Sequence, residues 1–84
     1  MRPSEAFQLA IDQKVPQIKG AWKDGKGGYC AKGWLYNLDV DPAQLSRLLI
    51  ADSKLENYGG MVVRNDLEDW TWEMFRNYAK EHGL

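Results

Sequence analysis

The sequence predicts a mostly α fold, a compact single domain over residues 1–84 built of about four short helices, with room for a minor two-stranded piece. Three observations carry that prediction. Apolar residues recur at helical spacing in separate runs around Phe7, Leu45 and Phe75. Helix starts are marked by capping residues, above all at Asp41-Pro42 and Thr71. The length of 84 residues, 44% of them hydrophobic and 27% charged, fits one globular domain rather than a disordered or membrane chain. A chain this short buries only about 60% of the surface that its unfolded form exposes, so its stability margin is thin.

The first helix is expected over about Ser4 to Lys14. Ser4 serves as its cap, Glu5 meets the positive end of the helix dipole, and Phe7, Ala10 and Ile11 share one face. Pro16 ends it. Asp24-Gly25-Lys26-Gly27-Gly28 is a surface loop, because three glycines with access to positive φ flank a single lysine. It is placed to close a small hairpin between Ile18–Trp22 and Gly28–Cys30. The chain is organised around the next run, Tyr29-Cys30-Ala31-Lys32-Gly33-Trp34-Leu35, read as a buried central helix ending near Leu38.

Helix 3 has the best-marked start. Asp41 is its N-cap, Pro42 suits the first helical position, Gln44 stands where a capping box wants it, and Val40 can staple onto Leu45. Leu45, Leu48 and Leu49 form its apolar stripe. Lys54 to Tyr58 is polar and Gly59-Gly60 breaks the chain. Met61-Val62-Val63 then reads as an extended buried segment, and Arg64-Asn65-Asp66 as a turn. Thr71 caps the final helix, with Trp70 stapled to Phe75, and with Met74, Phe75 and Tyr78 facing inward. Arg76, Asn77 and Lys80 face water, and Gly83 ends the helix with Leu84 packing back over it.

Composition excludes several function classes. Cys30 is the one cysteine, so neither an internal disulfide nor a thiolate zinc site can form, and a reducing compartment suits the chain. No apolar run approaches the roughly 20 residues of a bilayer span, and Met1-Arg2-Pro3-Ser4-Glu5 lacks the apolar core of a signal peptide. The expected location is the cytoplasm of the producing or infected cell, with no membrane partner. Net charge is -1 but uneven: residues 1–36 carry six Lys/Arg against three Asp/Glu (+3), and residues 37–84 carry five against nine (-4). Such asymmetry can orient a complex or a head-to-tail dimer, although charges this few are more often plain solvated surface.

Two tempting motifs fail on chemistry. Gly20-Ala21-Trp22-Lys23-Asp24-Gly25-Lys26-Gly27 matches a phosphate-binding loop except at its last position, where Gly27 has no hydroxyl to hold magnesium. Asn37, Asp39 and Asp41 alternate like a calcium loop, but Pro42 and Leu48 stand where glycine and a bidentate glutamate are needed. No metal or cofactor is implied. Cys30 and His82 lack a third orienting residue, so Cys30 reads as a small buried hydrophobe and His82 as a group near the last carbonyls of the final helix. The chain is therefore expected not to be an enzyme.

Ser4-Glu5-Ala6, Cys30-Ala31-Lys32-Gly33, Asn65-Asp66 after an apolar triplet, and Trp70-Thr71 before the last helix together resemble a loose family of small uncharacterised proteins of bacteria and phages. The family's pattern is a Ser-Glu-Ala start, a Cys-Ala-x-Gly core and an Asn-Asp turn before a final amphipathic helix. Trp34 and Arg64 depart from it. The resemblance implies a mostly helical fold of similar size and brings no activity with it.

Two surfaces remain open to a functional reading. The aromatic surplus, four Trp and four Tyr, is the stronger clue. Trp22 flanks the loop and Trp72 lies off the Met74-Phe75-Tyr78 face, so both are candidate exposed anchors for a protein partner or a second copy, with Lys23 and Lys26 beside them. Capping of a small core is the competing explanation of both rings. Asn65 and Asp66 are the alternative, lining a pocket for a small nucleotide-like or amino-acid-like ligand, against a structural role in a turn. Stacking of aromatics beside Lys19, Lys23, Lys26 and Lys32 on single-stranded nucleic acid is disfavoured by the acidic balance of the chain and the lack of a known reading motif. The sequence thus points to a non-enzymatic interaction protein, with small-ligand binding as the alternative.

Overall fold

In the computed structural model, which describes residues 1–55 and 60–84, the chain forms helices α1 (Pro3–Asp12), α2 (Ala31–Asn37), α3 (Pro42–Leu55), α4 (Gly60–Asp66) and α5 (Trp72–Glu81). No strand occurs among the described residues. Helix α1 lies mainly along α5 and also touches α2 and α3, while α4 bridges α2 and α3. None of the described helices is long and apolar enough to cross a membrane.

Helix α1 begins two residues earlier than Ser4 would allow as its cap. Pro3 takes the first helical position, which its fixed φ and missing N–H favour, and Glu5 Oε1 accepts from the Arg2 amide at 3.1 Å. Ser4 is instead buried, and its hydroxyl donates to the Leu84 carbonyl at 3.1 Å, tying the two chain ends together. The helix also stops before Lys14. Lys14 adopts φ +53°, its amide donates to Ile11 O at 3.1 Å and the Val15 amide to Ala10 O at 3.0 Å. The same paired closure ends α5, where Gly83 at φ +71° donates to Lys80 O at 3.0 Å and Leu84 to Ala79 O at 2.9 Å. Glycine takes that conformation without strain, whereas lysine takes it at a cost that the packing of α1 must offset.

The helix starts at Asp41 and Thr71 are as expected. Asp41 Oδ1 accepts from the Ala43 and Gln44 amides at 2.9 and 3.2 Å, and Thr71 Oγ1 accepts from Met74 N at 3.3 Å. Trp70 does pack on Phe75, with ring centroids 5.3 Å apart. Helix α2 is shorter than the run read from the sequence, because Cys30 is its N-cap: Sγ accepts from Gly33 N at 3.3 Å.

Residues 60–66 depart from expectation. Met61-Val62-Val63 is helical rather than extended, and Asn65-Asp66 forms the last turn of that helix rather than a separate turn. The strand preference of valine is a preference for a pleated, half-buried surface, and the described residues offer no strand for such a segment to pair with. The break expected at Gly59 lies outside the described residues, as do residues 56–58 of the polar connection before it. The two-stranded piece is reduced to isolated bridges, Tyr29 pairing with Gln17 on one side and Lys23 on the other.

The core is a chain of rings. Tyr29 meets Trp34 edge-on at 5.3 Å, Trp34 approaches Trp72 at 6.3 Å, and Phe7 stacks on Trp72 and Phe75 at 6.2 and 5.5 Å. Trp70 continues it to Tyr78 at 5.8 Å. Ala6, Ala10, Ala31 and Ala79 are fully buried among these rings, small enough to let α1, α2 and α5 close over them. Both buried indole N–H groups are satisfied, Trp34 by Ala6 O at 2.7 Å and Trp72 by Val15 O at 2.8 Å.

Trp72 is thus a core residue, only 7% exposed, and not a surface anchor. Trp72, Phe75 and Ala79, spaced i, i+3 and i+7, define the inward stripe of α5 and turn Met74 out to solvent. Arg76 is half-buried rather than in water and donates to Gln8 Oε1 on α1 at 2.9 Å.

Candidate interaction surface

Residues 16–30 wrap from α1 to α2, and their main chain is fixed by α2 itself. The Cys30 amide donates to the Trp22 carbonyl at 3.1 Å. That carbonyl rests on Gly33, where a Cβ would stand 2.7 Å from the carbonyl carbon and closer still to the oxygen. Gly33 therefore serves close approach of another backbone. Tyr29 N–H donates to Pro16 O and Ile18 N–H to Tyr29 O, both at 3.0 Å, which holds the other side of the wrap.

Within the glycine-rich loop, Asp24 Oδ1 accepts from the Lys26 and Gly28 amides at 2.7 and 2.9 Å. The Lys26 and Gly28 hydrogen bonds lower the Asp24 pKa below the ordinary carboxylate value. The phosphate-loop likeness dissolves here, since the chain enters and leaves this loop without a strand before it.

On this base stands an exposed aromatic pair. Trp22 and Tyr36 are 54% and 48% exposed, yet their rings stack at 5.2 Å with an interplanar angle of 22°. Lys32 Nζ lies 5.6 Å from the Trp22 ring centroid and 6.0 Å from that of Tyr36. A cleft of about 280 Å³ opens beside the pair, lined by Trp22, Lys23, Tyr29, Gly33, Tyr36 and Asn37. Of the partner-binding candidates read from the sequence, Trp22 and Lys23 line this cleft, Lys26 stands on the neighbouring loop, and Trp72 is absent from it. Tyr36 was not singled out from the sequence, and Lys32 was weighed there only for stacking beside single-stranded nucleic acid. Their i, i+4 spacing on the side of α2 away from Ala31 and Leu35 was the available signal.

Asn65 and Asp66, the alternative site, form a closed junction. Asn65 is 1% exposed. Its Oδ1 accepts from Gln17 Nε2 at 2.8 Å and from the Ala31 amide at 3.1 Å, and its Nδ2 donates to Ile18 O at 2.7 Å and Asp66 Oδ1 at 2.8 Å. Both lone pairs and both protons of the amide are occupied, which leaves nothing to offer a ligand. Asp66 Oδ2 accepts from the Gly20 amide at 3.1 Å. A shallow cleft of about 150 Å³ lies alongside, lined by Gln17, Lys19, Asn65, Asp69, Trp70 and Thr71, and Lys19 and Asp69 form an ion pair across it.

Cys30 is buried as well as capping α2, and the His82 ring packs on Tyr78 at 4.5 Å. Among the described residues no three His, Cys, Asp or Glu side chains converge on a point where a metal ion would sit. Comparison with protein-family models, with curated proteins and with solved structures finds no match for this chain.

Proposed function

We propose that this protein is a non-enzymatic interaction module that binds a protein partner, or a second copy of itself, through the Trp22–Tyr36 surface with Lys23, Lys26 and Lys32 around it. The observation that carries this reading is the stacked, half-exposed ring pair on a hydrogen-bonded base. Large rings held in place by their own backbone lose little entropy when a partner covers them, which is how tryptophan and tyrosine anchor interfaces. The remaining polar candidates favour no competing chemistry, since Asn65 is saturated and the Cys30 thiol serves as a helix cap. In this reading the protein is a bacterial or phage accessory factor of the cytoplasm, as the Ser4-Glu5-Ala6 and Cys30-Ala31-Lys32-Gly33 resemblance and the single cysteine suggest.

The test is Trp22→Ala, compared with the unaltered protein by native mass spectrometry and by thermal melting. Association, with a copy or with a co-purified protein, is expected to fall while the melting temperature stays put, because the indole lies outside the core. Equal association by both proteins would sink the proposal.

A further inference from the structure

The cleft beside Trp22 has an aromatic wall with Lys23 in its lining and Lys32 near the Trp22 ring. Lys19 is paired with Asp69, but among the described residues Lys23, Lys26 and Lys32 form no ion pair. The carboxylate nearest to them in sequence, Asp24, is engaged with the amides of its own loop. The cleft, about 280 Å³, falls just short of the roughly 300–1,000 Å³ of small-molecule pockets, a size suited to one large side chain.

The opposite features occur together elsewhere on the same chain. Leu67, in the turn after α4, is 77% exposed, the most exposed of the large hydrophobic residues whose side chains are described. Glu68 follows it, exposed and without an ion pair among the described residues. Leu67 is thus an apolar knob with an unpaired carboxylate beside it, complementary to a cleft with unpaired ammonium groups. The turn that carries the knob is tied to the segment leading into the cleft, because Asp66, one residue before the knob, accepts from the amide of Gly20, two residues before Trp22. Complementary patches on tied segments of one chain suit a two-fold pair, in which each copy contributes both a knob and a cleft.

Resting on the interaction surface assigned above, we infer that its occupant is a second copy of this chain: Leu67 of each protomer enters the Trp22–Tyr36 cleft of the other, and Glu68 lies against Lys23 and Lys32. The contact is small, so the dimer is weak and its charged rim makes it salt-sensitive. A single-stranded nucleic acid fits less well. Trp22 and Tyr36 close one face of each other to a base, and the net -4 of residues 37–84 opposes a polyanion.

The experiment is sedimentation equilibrium of the full chain over a concentration series reaching about 1 mM, with thermal melting as a control for folding. The unaltered protein is expected to dimerise. Leu67→Ser should raise the dissociation constant about a hundredfold, about tenfold for each of two equivalent contacts. Lys23→Glu and Glu68→Lys should each weaken the dimer, and the double variant carrying both should restore it. A monomer throughout the series overturns the inference and leaves binding to another protein intact. A dimer that survives Leu67→Ser but is lost in Trp22→Ala overturns the knob alone, and one that survives both overturns the Trp22 surface as well. Trp22-dependent binding of a fluorescent oligothymidylate, with no dimer, would replace the second copy by nucleic acid.

Discussion

Asn65 and Trp22 reverse the usual placement of their residue types. The amide is buried with every donor and acceptor engaged, whereas the indole stands about half in water beside an open cleft. A polar residue after an apolar run looks like a ligand site in sequence, and an aromatic ring looks like core. Partner satisfaction separates the two cases. An amide that holds three chain segments together has no capacity left for a ligand, while a ring stacked on one face still has apolar surface to cover.

Removing Asn65 is the most severe way to break this contrast. Asn65→Ala strips partners from the Ala31 amide and the Ile18 carbonyl, and orphaned buried groups cost about 1–3 kcal/mol each. A loss of about 3 kcal/mol in urea unfolding is expected, a large share of the roughly 5–15 kcal/mol of a native domain. A loss below about 1 kcal/mol would mean that the junction is not the structural clamp described here.

Gly33→Ala tests the link between the two regions. Its Cβ meets the Trp22 carbonyl group, so either α2 or the wrap must move, at about 2 kcal/mol by the usual cost of overpacking. Because that carbonyl positions the ring pair, tryptophan fluorescence should shift along with the lowered melting temperature. A stable Gly33→Ala protein with unchanged fluorescence would show that the base under Trp22 is soft.

Trp72→Phe sharpens the comparison from within one residue type. It removes the hydrogen bond to Val15 O while retaining an aromatic ring, for a loss of about 1 kcal/mol and a melting temperature lower by about 4–8 °C. Trp22→Ala, by contrast, should leave melting unchanged. Similar losses at both positions would erase the distinction between core and surface tryptophans.

The smallest effect concerns pH. The Asp24 pKa is depressed in the folded loop, so the stabilisation it brings is present above the carboxyl's ordinary pKa and lost as pH falls through the depressed value. In acid, the Lys26 and Gly28 amide resonances should move together at a midpoint below that of aspartate in an unstructured peptide. Movement at the ordinary carboxyl pKa would contradict the capped-loop geometry.

Local chemistry was legible wherever it is settled within a few residues. Asp41 before Pro42, Thr71 before α5 and Gly83 after it each satisfy neighbouring backbone groups, so their positions could be read without knowing the fold. Ser4 escaped the same reasoning because its hydroxyl finds Leu84, far off in sequence. Lys14 escaped it because no local rule marks a lysine for a left-handed turn.

The candidate site was half legible for the same reason. Trp22 and Lys23 were marked by their place at the edge of a glycine-rich loop, but Tyr36 and Lys32 join them only when the wrap lies down on α2. Sequence alone determined a helical class, the loop at 24–28 and the starts of α3 and α5, since each depends on composition or on hydrogen bonds spanning a few residues. Tertiary structure alone decided that residues 60–66 are a helix, that Trp72 is inside and that Asn65 is a clamp. Those outcomes depend on which distant group fills a valence or covers a ring, and such pairings exist only once the chain has closed on itself.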